Sequence, residues 1–147
     1  MSTTGSHLRE PGDLSTIVDA DAHVTDDESD LLPYIEDRYS GVKEIISKGD
    51  RPAEQTVFQG SWPMPPFLYS ELRLAKQPTR DATSKLGRMA EFGIDHAVLS
   101  PGLHLHLAAV ANERWGVALA NAYNSWLLDE WLDDHSRLLG GCVAAPH

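Results

Sequence analysis

The chain has 147 residues, of which 41% are hydrophobic, 7% aromatic and 23% charged; that is the arithmetic of a folded domain rather than a disordered chain, and of one domain more comfortably than two. Its 22 acidic residues against 12 basic ones leave a net charge of −10, and with no basic patch along the chain this balance argues against a nucleic-acid partner. The lone cysteine, Cys142, allows no internal disulfide and suits a reducing compartment.

Residues 1–14 are polar, rich in Ser, Thr, Gly and Pro, and read as a flexible lead. They lack the apolar core of a signal peptide. No run approaches the ~20 apolar residues that span a bilayer, so the expectation is a cytoplasmic protein without a membrane partner. The first ordered element is a strand over 16–20, short and partly β-branched, running into Asp21-Ala22-His23-Val24 and an acidic stretch at 26–30. Residues 31–39 read as a short helix with Asp30 as N-cap and Pro33 in the first turn. Residues 47–78 break the pattern. Pro52, Pro63, Pro65 and Pro66 punctuate them, with Phe58, Trp62, Phe67 and Tyr69 in between, the composition of a long ordered loop anchored by aromatics.

A helix follows over 80–92, with Leu86, Met89, Ala90 and Phe92 at helical spacing and Gly93 in the C′ position. Residues 94–100 read as a strand closed by Pro101-Gly102, and 112–134 as one long helix whose stripe is Trp115, Leu119, Ala122, Tyr123, Trp126, Leu127 and Trp131. An apolar strand over 138–145 ends the pattern. Strands alternating with helices predict a parallel sheet with crossover helices, an α/β fold.

Chemistry concentrates at Asp21-Ala22-His23, at the C-terminal end of the first strand. In parallel α/β architectures that end of the sheet carries the site. Residues two apart in a strand point to one side, so the carboxylate and the imidazole converge as two ligands of one ion would, a donor set suited to Zn, Mn or Fe(II). A simple hydrogen-bonded pair has the same spacing. Asp19, two residues earlier on the same face, suits a supporting group or a strand anchor. His104-Leu105-His106 repeats the x-spaced pattern after the second strand, whereas His96 reads as structural and His135 as a partner of a helix C-terminus. Cys142, within an apolar run, reads as a buried, inert thiol. Asp27 and Glu28 read chiefly as solvated surface, with a metal-site carboxylate as the alternative.

The run Val18-Asp19-Ala20-Asp21-Ala22-His23-Val24 resembles the opening of amidohydrolase-related proteins, a group that includes aminocarboxymuconate semialdehyde decarboxylase and gamma-resorcylate decarboxylase. Two later stretches fit the same order: residues 89–101, similar to the family's helix and second strand, and residues 121–127 with 137–140, similar to its next helix and strand. The resemblance implies a metal-dependent hydrolase or non-oxidative decarboxylase acting on a small organic acid, with one divalent ion (Zn, Mn or Fe) held in part by Asp21 and His23 when the complete barrel is present. Trp62 and His104 are then the candidates for lining the substrate. It implies a fold in which residues 15–147, with 47–78 as an insertion, form about three β/α units of a (β/α)8 TIM-type barrel. A whole barrel takes ~250 residues, so the chain is expected to be an incomplete N-terminal part, inactive alone, without the family's later ligands and catalytic residues. The alternative is a non-catalytic α/β remnant that self-associates as a homo-oligomer or binds a partner through unpaired strand edges.

Overall fold

A computed structural model describes residues 16–26, 28–47, 79–102, 107, 110, 112–145 of the chain. The expected N-terminal lead, nearly all of the 47–78 insertion, Trp62, His104, His106 and Asp27 lie outside the described residues. Within them, strand β1 (Val18–His23) leads into 3-10 turns at Glu28–Tyr34 and Asp37–Tyr39 and then helix α1 (Ser40–Ser47). Helix α2 (Ala82–Phe92), strand β2 (His96–Ser100), helix α3 (Glu113–Leu127) with a π-helical extension Leu128–Leu132, and strand β3 (Leu138–Gly140) follow.

The strands form one parallel sheet in the order β1-β2-β3, which bears out the expected mixed α/β architecture. One face packs on the helices: Ala22 and Leu99 pair in register, as do Ala97 and Leu138, and all four are buried. Leu31 from the first 3-10 turn, Ile35 just after it, Val42 and Ile46 from α1, Met89 from α2 and Leu119, Tyr123, Trp126 and Trp131 complete that core. No described helix is long and apolar enough to cross a membrane.

Helix α2 starts and stops where its sequence dictates. Asp81 accepts from the Ser84 amide at 2.7 Å, the Ser84 hydroxyl lies 3.4 Å from the Asp81 amide, and Gly93 closes the helix in the left-handed region at φ 67°. Phe92 and Ala90 depart from the expected stripe and are exposed, Phe92 lying under the Arg88 guanidinium instead.

Four other expectations are corrected. The 31–39 helix is replaced by 3-10 turns followed by α1, with Asp30 inside the first turn rather than capping it. The long helix does not stay α-helical to 134. At Leu127 it widens into a π turn, closed by the Asp133 amide on the Leu128 carbonyl at 2.9 Å. The slower rotation per residue of a wide turn swings Trp131 toward the side that carries Trp126, and the two rings meet edge to face at 6.1 Å. The last strand ends at Gly140 rather than 145, because the Asn124 side chain takes the place of a neighbouring strand. Its amide donates to the Val143 carbonyl and its carbonyl accepts from the Val143 amide, both at 2.8 Å. Past Gly140 the residues alternate between half-buried and exposed, and Cys142 falls on the exposed side, so the expected buried thiol is instead open to solvent.

Candidate metal-ligand pair at the end of strand β1

Strand β1 is regular only at its ends. Asp19 pairs with Ala97 and Ala22 with Leu99, so three steps of β1 oppose two of β2. A bulge of this kind turns side chains out of the regular pleat. Ala22 points into the core while Asp21, within the bulge, and His23, past it, face solvent, with side chains 93% and 48% exposed. The expected convergence is present: His23 Nε2 lies 3.5 Å from Asp21 Oδ1.

The other ring nitrogen fixes the chemistry of this contact. His23 Nδ1 is 2.8 Å from the Pro101 carbonyl. A carbonyl only accepts, so Nδ1 carries the proton, and in the neutral ring the lone pair is on Nε2, toward Asp21. Two electron-pair donors then face each other across 3.5 Å. That is longer than the 2.7–2.9 Å of a charge-assisted N–H···O bond. It is close to the separation of two ligands sharing a tetrahedral ion, about 3.4 Å for metal–ligand bonds of about 2.1 Å. The donor set therefore fits half of a zinc-type site, one neutral imidazole and one carboxylate.

The surrounding backbone is stitched across β1 and β2. The Val24 amide donates to the Ser100 carbonyl at 3.0 Å. Gly102 packs so closely that a Cβ there would lie 2.5 Å from Asp26 Oδ1 and 2.7 Å from the Val24 carbonyl. Asp19 Oδ1 accepts from the Asp21 amide at 3.1 Å, while the register shift places Asp19 opposite the buried Ala97 rather than on one face with Asp21. From α2, Lys85 Nζ donates to the His23 carbonyl at 2.9 Å. Burial pulls the Lys85 ammonium below the ordinary lysine value, and the Asp19 carboxylate works in the opposite direction.

Pro101 and Lys85 carry no signal of their own in the sequence. One contributes a backbone oxygen, and the other is a helix lysine 62 residues from its acceptor. Among the described residues no group of three or more His, Cys, Asp or Glu side chains converges on one point. A cleft of about 490 Å³ bordered by Tyr34, Arg80, Trp126 and Glu130 includes neither Asp21 nor His23 in its lining. No protein-family model matches the chain, and no curated protein is significantly similar to it.

Proposed function

We propose that the chain supplies the first-strand ligands, Asp21 and His23, of a metal-dependent hydrolase or non-oxidative carboxy-lyase related to the amidohydrolases, acting on a small organic acid. In this reading the three-stranded parallel sheet is part of a (β/α)8 barrel, and the remaining ligands and the catalytic carboxylate come from elements beyond these three strands. The observation that carries the proposal is the His23 geometry, with Nδ1 committed to the Pro101 carbonyl and Nε2 set 3.5 Å from Asp21 Oδ1. A divalent ion supplies Lewis acidity toward a carbonyl or carboxylate oxygen and, in a hydrolase, lowers the pKa of water. Asp21 offsets part of the ion's charge, and His23 offers a lone pair whose direction the Pro101 bond holds. A cytoplasmic setting, with Cys142 as a free thiol, belongs to the same reading.

Titration with Co²⁺, followed by amide signals in ¹H–¹⁵N spectra, tests this. Signals of residues 19–24 respond first and saturably in the wild type. Asp21→Ala and His23→Ala each weaken the response by about tenfold or more, since a two-ligand site has no redundancy. Equal Co²⁺ responses in the wild type and both variants would overturn the assignment.

One observation favours a second reading, a non-catalytic remnant that self-associates. The sheet face opposite the helices presents Leu139 and Val18, 51% and 49% exposed, on the two outer strands of the described sheet.

A further inference from the structure

We propose that Lys85 is a positioning residue for the Asp21–His23 pair, holding the last peptide of β1 in the place that sets the direction of the His23 ring. The proposal rests on the metal-site reading above and extends it to a residue on another element.

The peptide joining His23 to Val24 is planar and trans, so its C=O and N–H point in opposite directions. Its N–H is given to Ser100 on β2. The His23 carbonyl therefore points away from β2, toward the outer edge of β1. No strand pairs with that edge in the described sheet, and Lys85 takes the carbonyl at 2.9 Å. The last peptide of β1 is thus held on one side by β2 and on the other by α2. An ordinary surface lysine keeps its ammonium in water; this one is half-buried and spends a donor on a main-chain oxygen at the site.

Helix α2 is well suited to act as the fixed end of this brace. Lys85 sits in its first turns, directly after the Asp81–Ser84 capping box, and its own amide bonds to the Asp81 carbonyl at 3.1 Å. Asp19 completes the arrangement, since its carboxylate holds the Asp21 amide while its charge acts on Lys85. With the His23 backbone fixed, the ring can keep its 2.8 Å bond to Pro101. Without Lys85 the strand end is held from the β2 side alone, the Nδ1 bond loosens, and the ring samples its other tautomer. A lysine that merely blocked a strand edge would leave the ring unaffected, which is what the experiment reads.

The variants are Lys85→Met, which keeps the stem and removes the donor, Lys85→Gln, whose amide is one atom too short, and Lys85→Arg, which keeps a long donor. The first readout, without metal, is the pair of His23 ring ¹⁵N shifts. The wild type and Lys85→Arg show the Nδ1-protonated form; Lys85→Met and Lys85→Gln shift toward the Nε2-protonated form. The second is Co²⁺ affinity, which falls about tenfold in Lys85→Met and Lys85→Gln, the lower end of the effect of losing an outer-sphere partner, and recovers in Lys85→Arg. Wild-type tautomer and wild-type Co²⁺ affinity in a folded Lys85→Met or Lys85→Gln protein would overturn the proposal. A tautomer shift in those variants, together with no saturable Co²⁺ response in the wild type, would support the positioning role and overturn the metal reading alone.

Discussion

A single hydrogen bond gives Asp21-Ala22-His23 its orientation. As spacing alone, the triplet describes a carboxylate beside an imidazole. With Nδ1 given to the Pro101 carbonyl the ring is oriented with Nε2 toward Asp21, presenting a lone pair there when neutral and an N–H when protonated. That bond depends on the loop after β2 lying against the loop after β1, and Gly102 permits the approach. A methyl group at Gly102 would meet the Val24 carbonyl at 2.7 Å, and a backbone oxygen cannot swing aside as a side chain can. Gly102→Ala is therefore expected to cost about 1–3 kcal/mol in urea unfolding, as overpacking does. It should also disturb the His23 ring shifts; unchanged shifts and stability would show that the two loops do not depend on each other. Asp21 and His23 were legible in the sequence because strand parity puts residues two apart on one side. Pro101, Gly102 and Lys85 were not, since each acts through a main-chain atom or a close approach set by a different element.

At the level of elements, the stop of α2 at Gly93 was legible, while its start at Asp81 came from the structure. Helix α2 has its capping box at Asp81 and Ser84 and its left-handed Gly93. The Ser84 amide, and after it the Ser84 hydroxyl, holds the Asp81 carboxyl below the usual carboxylate range. A depressed folded-state value means that the stabilisation is fully present above the ordinary value of about 3.9 and disappears as the pH falls through the lower, folded value. The melting temperature of Asp81→Ala should accordingly fall below that of the wild type at neutral pH, and the two should converge in acid. A difference that persists unchanged into strong acid would refute the cap's role. Elements defined by tertiary partners were not legible. Helix α1 contains Gly41 and the β-branched Val42, Ile45 and Ile46, poor helix formers, and its place in the fold comes from burying Val42 and Ile46. Strand β3 stops at Gly140 because Asn124, 19 residues earlier than Val143, takes both of that residue's backbone groups, a pairing that an apolar run such as 138–145 does not announce.

Across the whole molecule, two influences on self-association oppose one another. The parallel sheet has β1 and β3 as its outer strands among the described residues, with Val18 and Leu139 exposed on the face away from the helices. Unpaired edges favour association. The net charge of −10 opposes it, and salt screens that repulsion. In sedimentation velocity the protein is expected to be monomeric at low ionic strength, with a weight-average coefficient that rises with salt and with protein concentration. A monomer unaffected by either would remove the second functional reading.

The sequence by itself determined the alternation of strands and helices, the parallel class of the sheet, the glycine stop of α2 and the identity of the two residues at the end of β1. These follow from periodicity, local capping and strand parity, which act over a few neighbouring residues. Tertiary structure alone decided which nitrogen of His23 carries the proton, that Lys85 reaches the same peptide from α2, where β3 ends, and that Cys142 faces solvent. Each of those depends on contacts between segments 19 to 78 residues apart or on which side of a strand end faces the core, and such distances have no period for a sequence to display.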